Sequence, residues 1–128
     1  MNPAAVSTDT ALIWLRQDGI VCVCVLPRVI QTVQDAEDNF AASVKVREGV
    51  RRALIVDIRD AEPLTTTVRQ FYSGPKIGSA FTALGILVPH DSFGRILGNL
   101  YLSVASPGVP IQLFFDENEA VLWLKKFG

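Results

Sequence analysis

With one histidine and two cysteines in 128 residues, the chain is short of the side chains that most metal and nucleophile chemistry needs. A lone His90 excludes paired-histidine metal sites. The two thiols, Cys22 and Cys24, are one residue apart inside an apolar run. On a strand, residues two apart share a face, a placement poorly suited to an intrachain bridge, and Cys-x-Cys alone is no zinc pattern. They read as buried, reduced thiols, which suits a reducing compartment. An excess of either charge is also missing: 12 Lys+Arg against 13 Asp+Glu leave a formal net charge of −1. The basic residues are scattered along the sequence, and only Arg51-Arg52 and Lys125-Lys126 are adjacent. No basic stripe is offered to a phosphate backbone or an anionic membrane surface, so no nucleic acid is expected as a partner. Long apolar runs are absent, and the longest, Ile20 to Leu26, falls far short of a membrane span. Met1 to Thr10 has neither the basic nor the apolar region of a signal peptide. The expectation is a cytoplasmic protein without a membrane span.

What the chain has is apolar residues, at 49%, in short runs that alternate with amphipathic stretches. Ala11 to Arg16 and Ile20 to Leu26 read as two strands joined by Gln17-Asp18-Gly19, a hairpin signal because glycine accepts positive φ. Thr32 is placed to cap a helix with Asp35 three residues on, Val33, Ala36, Phe40 and Val44 facing inward, and Gly49 beyond its end. Arg52 to Ile58 is a third strand. It and the second are apolar on both faces, which predicts interior strands covered on both sides. Thr65 to Tyr72 forms a short helix with Val68, Phe71 and Tyr72 inward, and Pro75 opens another that runs to Phe81. A strand over Ala83 to Pro89 follows. Asp91 or Ser92 then caps a helix with Phe93, Ile96, Leu97, Leu100 and Val104 on one face. Ile111 to Phe115 is the fifth strand, and Asp116 with Glu119 caps a last helix to Phe127. The order β-β-α-β-α-β-α-β-α, with no linker, predicts a single α/β domain over residues 11–128 behind an N-terminal tail of residues 1–10, built on a five-stranded mixed sheet.

That order resembles the SpoIIAA-like (STAS) fold, and more narrowly small bacterial STAS/SEC14-like proteins, largely uncharacterised. The segments carrying the resemblance are Leu54-Ile-Val-Asp-Ile58, Thr67-Val-Arg-Gln-Phe-Tyr72, Ala83-Leu-Gly-Ile-Leu-Val88, Gly94-Arg-Ile-Leu-Gly-Asn-Leu-Tyr101, Pro110-Ile-Gln-Leu-Phe-Phe-Asp116 and Ala120-Val-Leu-Trp-Leu124. The resemblance implies a protein-interaction module. Its better-known members are switched by phosphorylation in an Asp-Ser-Ser/Thr-Gly-like motif, whose place falls here on Thr65 to Val68. Thr66 would stand at the phospho-acceptor, although Thr65 replaces the Asp and Val68 the Gly.

Read from the residues, Thr67 with Gln70 forms a capping box, and Thr65-Thr66-Thr67 is then a helix start rather than a switch. Arg69 and Tyr72, three apart, and Arg95 and Asn99, four apart, share helix faces that could form a polar rim for a ligand or partner. Asp57, Asp60 and Asp116 near strand ends read as structural residues rather than metal ligands. His90-Asp91-Ser92 is too contiguous for a catalytic triad. Gly74 to Ser79 lacks the Gly-Lys-Ser/Thr ending of a phosphate loop, so no cofactor is expected. Gly94 and Gly98 with Tyr101 and Leu102 form a patch open either to a homodimer contact or to packing against the chain's own residues 73–81. The leading expectation is a non-enzymatic, regulatory protein-interaction module with an unidentified protein partner. The alternative is a carrier or sensor of a small apolar ligand, its cavity lined by Trp14, Phe81, Phe93, Tyr101, Phe114 and Phe115.

Overall fold

The structure, a computed structural model, describes residues 5–90 and 108–128. Six strands join one sheet in chain order: β1 (Val6–Ser7), β2 (Ala11–Leu15), β3 (Val21–Val25), β4 (Arg52–Asp57), β5 (Phe81–Leu87) and β6 (Ile111–Phe114). β1, β2 and β3 pair antiparallel, and β3 to β6 run parallel. The described helices are α1 (Val33–Val46), α2 (Thr66–Tyr72), α3 (Pro75–Ala80) and α4 (Glu117–Leu124). The helix expected from Ser92 to Val104 lies outside the described residues.

Gly19 makes the β2–β3 turn possible, with φ +86° and its amide bonded to the Arg16 carbonyl at 3.0 Å. β3 and β4 take interior positions, as their two apolar faces require. Val21, Val23, Leu54 and Val56 are buried on one side with residues of α1, α2 and α3. Cys22, Ala53 and Ile55 are buried on the other beneath α4. α4 can come close because β5 has no side chain at Gly85, where an added Cβ would lie 3.2 Å from Leu124 Cδ1.

α1 starts where its sequence says. Thr32 Oγ1 accepts from the Asp35 amide at 3.0 Å, and Asp35 returns the bond to the Thr32 amide at 2.9 Å. Its inward face differs from the amphipathic reading. Val33 is 39% exposed, and the buried positions are Ala36, Asn39, Ala42 and Ser43. Small residues sit at the contact because α1 lies close on the sheet, and Phe40 and Val44 are half-buried at its margin.

The sheet has six strands where five were expected, because part of the assumed tail joins it. Thr8 organises the turn between β1 and β2: its hydroxyl accepts from the amides of Thr10 at 3.3 Å and Ala11 at 3.1 Å. The same hydroxyl donates to Asn39 Oδ1 at 2.5 Å, and Asn39 Nδ2 donates to Thr10 Oγ1 at 2.9 Å. The buried Asn39 therefore clamps the N-terminal strand to α1. A two-residue strand has no periodicity to read, and an asparagine in a helix carries no local sign of its partners 29 and 31 positions earlier.

Replacing Asn39 with alanine leaves two threonine hydroxyls short of a buried partner. Asn39→Ala should lose about 2 kcal/mol of stability in chemical denaturation. Amide exchange should accelerate in Val6 to Ala11 more than in β3 or β4. Unchanged exchange at Val6 to Ala11 would show that the clamp does not hold β1.

Candidate functional site

At the end of the sheet where the parallel strands finish, two connections lie side by side: Leu26 to Thr32 before α1, and Ile58 to Thr65 before α2. Backbone bonds lock them together. The Arg28 amide donates to the Asp60 carbonyl at 2.9 Å, and the Glu62 amide to the Val29 carbonyl at 3.0 Å. Arg28 turns the chain in the left-handed region at φ +65°, which costs a non-glycine residue about 1 kcal/mol. The buried Gln31 accepts the Tyr72 hydroxyl at 3.0 Å through its side-chain oxygen, tying the first connection to α2. Held on both sides, Ile30 points outward and is 64% exposed, with the exposed Val33 three residues on.

Thr65, Thr66 and Thr67 are all exposed beside this rim. The cap of α2 is Thr65, not Thr67: Thr65 Oγ1 accepts from the Val68 amide at 3.4 Å. The helix begins two residues earlier than the Thr67–Gln70 box would have it, because Thr66 and Thr67 already have helical backbone. The Thr66 hydroxyl accepts from Arg69 Nη2 at 3.2 Å, while Arg69 Nη1 donates to the Leu64 carbonyl at 2.8 Å. Arg69 thus braces the start of its own helix.

Tyr72 does not join Arg69 on a polar rim. It is 3% exposed, and α2 turns it under the Phe71 ring, which itself packs edge-on against Phe40 at 6.0 Å. Burial pushes the Tyr72 hydroxyl pKa up, against the smaller opposing effect of its bond to Gln31, so the phenol stays neutral. Arg95, Asn99, Gly94, Gly98, Tyr101 and Leu102 lie outside the described residues.

The carboxylates do not assemble. Asp57 is held by Arg59 at 3.0 and 2.8 Å, and Asp116 accepts from the Glu119 amide at 3.2 Å as the cap of α4. Among the described residues, no group of three or more His, Cys, Asp or Glu is placed to hold a metal ion. Cys22 is buried and Cys24 half-buried. Burial and then nearby Glu117 and Asp57 raise the Cys22 pKa; burial and then Asp57 and Asp60 raise that of Cys24. Neither is a ready thiolate. His90 stacks on Phe115 at 4.6 Å, and its triad neighbours Asp91 and Ser92 lie outside the described residues.

The aromatic residues expected to line one cavity are divided. Phe81 is buried on the face of α1 to α3 and Phe114 on the face of α4, where Trp14 packs against the same cluster from β2. A space between α1 and the sheet, lined by Phe40, Tyr72 and Ile77 among others, amounts to about 10 Å³, room for roughly one water molecule.

With Thr65 as the cap of α2, its hydroxyl and not that of Thr67 carries the stabilising bond. Thr65→Ala should lower stability by about 1 kcal/mol, whereas Thr67→Ala should change it by less than about 0.5 kcal/mol. The reverse order in thermal or urea unfolding would restore Thr67 as the cap.

Comparison with known proteins places the fold. The crystal structure of an uncharacterized protein from the DUF3478 family with a SpoIIAA-like fold, from Shewanella loihica PV-4, aligns with a TM-score of 0.60 over 93% of this chain and 98% of that one. Sequence identity is 16%, so the likeness speaks for the architecture: the fold is SpoIIAA-like. No curated protein matches the chain. The family described as Domain of unknown function (DUF7793) matches residues 13–128, and the chain belongs to that family.

Proposed function

We propose that this protein is a non-enzymatic, regulatory protein-interaction module of the STAS type, acting in the cytoplasm, and that it receives its protein partner on the rim formed by Ile30, Val33 and the start of α2. The observation that carries this reading is the exposed Ile30. It sits on a connection that three hydrogen bonds fix in place, so the residue is presented rather than merely loose. A pre-ordered apolar side chain loses little conformational entropy when a partner covers it. The threonine hydroxyls beside it supply the polar margin typical of an interface. In this reading Thr66 is a rim residue engaged by Arg69 rather than a phosphorylation switch.

The described space between α1 and the sheet holds about one water molecule, too little for a carried ligand. The rim asks for no such space. No described helix is long and apolar enough to cross a membrane.

The test compares three tagged baits in quantitative affinity capture: the native chain, Ile30→Asp, and Leu122→Asp. Leu122 is 69% exposed on α4 and controls for exposed apolar surface as such. Proteins enriched by the native chain should bind Ile30→Asp at least about tenfold more weakly and Leu122→Asp undiminished, with circular dichroism unchanged in both. Equal capture by the native chain and Ile30→Asp would remove the rim from the interface.

A further inference from the structure

We propose that the protein self-associates head to tail, the basic end of one copy docking on the acidic end of the next. Along the sequence the cations are scattered, but the fold gathers them. Lys45 lies in the last turn of α1, Arg47, Arg51 and Arg52 lead into β4, and Lys125 and Lys126 follow α4. All of these positions lie where the parallel strands begin. Arg52 donates to the carbonyls of Arg47 at 3.0 Å and Gly19 at 3.4 Å, and Arg51 to that of Gly78 at 2.6 Å. A Cβ on Gly128 would sit 3.7 Å from the Ala53 amide, which brings the segment after α4 to the same end. The acids there, Asp18 and Glu48, are already paired, with Arg16 at 3.1 Å and Arg52 at 3.9 Å. Among the described residues, Lys45, Arg47, Arg51, Lys125 and Lys126 have no carboxylate within ion-pair distance.

The opposite end carries the opposite sign. Asp57, Asp60 and Glu62 end β4 and line its exit, and Asp116, Glu117 and Glu119 mark the junction of β6 with α4. Asp9 in the β1–β2 turn and Asp35 in the first turn of α1 add to them. Of the described cations at this end, Arg59 is held by Asp57 at 2.8 Å and lies 4.0 Å from Glu117, which also pairs with Arg16, and Arg69 braces α2; Arg28 has no ion pair among the described residues. Helix dipoles favour acids at helix starts and bases at helix ends, which accounts for Asp35, Asp116, Glu117, Glu119, Lys45, Lys125 and Lys126. They give no reason for Asp60 and Glu62 in a connection, or for Arg51 and Arg52 at the start of a strand.

A formal charge of −1 thus conceals two ends of unlike sign among the described residues. An end-on two-fold contact would set like charge against like. Translation sets basic against acidic, and a contact of that kind does not close at two copies. The inference concerns the same end of the sheet as the rim described above but stands without it, since a foreign partner at Ile30 is not required.

Sedimentation velocity with light scattering on the full chain tests it over a concentration series, at about 0.01 M and about 1 M salt, where charges are felt over roughly 30 Å and 3 Å. In low salt the weight-average mass should climb past that of two chains, and in high salt fall to one. Arg51→Gln with Lys126→Gln blunts the basic end, and Asp60→Asn with Glu119→Gln the acidic end; all four residues are exposed. Each double variant alone should stay monomeric, and an equimolar mixture should stop at two chains, because each supplies one intact end. A native chain that is monomeric in low salt at high concentration would overturn the proposal. So would assembly that stops at two copies or survives high salt. Variants that assemble like the native chain would also overturn it, as would monomers whose basic end binds heparin, which would assign that end to a foreign polyanion. None of these outcomes depends on Ile30→Asp, so the two readings fail separately.

Discussion

β3 and β4 cannot show either face to water, and most of the architecture answers that constraint. Val21, Val23, Leu54 and Val56 on one side and Cys22, Ala53 and Ile55 on the other are almost wholly buried. Burying each large aliphatic side chain contributes about 1.5–3 kcal/mol. Two helical layers are then needed, and the chain supplies α1, α2 and α3 to one face and α4 to the other. The same constraint decides where charge resides. Strand centres that are apolar on both sides leave ionised groups only the turns, the helix surfaces and the strand ends. Charge collects at the two ends of the sheet because the middle excludes it.

The central strands, the β2–β3 turn and the caps at Thr32 and Asp116 were legible in the sequence, because each depends on residues within a few positions of one another. Thr32 and Asp35 bond one another directly, and Gly19 is required by its own backbone angle. Legibility ended where partners are distant. Asn39 sits on α1 like any polar helix residue until the turn at Thr8 and Thr10 reaches it, and β1 is invisible without that pairing. Ala36 is buried as its spacing predicts, but Val33, which matched the same inward stripe, is not, because the close approach of α1 selects small residues such as Ala42. The threonine run fitted a cap at either Thr65 or Thr67, and only the backbone chose between them.

The rim was harder still. Ile30 lies between Pro27 and Thr32 in a stretch without periodicity, and its exposure follows from bonds its neighbours make to Asp60, Glu62 and Tyr72. The basic end was equally hidden. Arg51-Arg52 and Lys125-Lys126 are far apart in sequence, and their proximity comes from the parallel topology, which returns each helix to the end of the sheet where the next strand begins. A single composition figure near neutrality concealed how the described charges divide between the two ends of the sheet.

Among the described helices, α4 is the one that packs on the face carrying Cys22, Ile55 and Leu87, and it follows the described strands in the chain. During synthesis the strands β1 to β5, with α1 to α3, are available to condense first, β3 and β4 each being followed by helices of the face they share. The described helical partners of Cys22, Ile55 and Leu87, namely Ala120, Val121 and Leu124, lie beyond Asp116 and leave the ribosome later. At roughly 5–20 residues per second the interval lasts several seconds. Until then that greasy, thiol-bearing face lacks the cover that α4, a helix of eight residues, gives it.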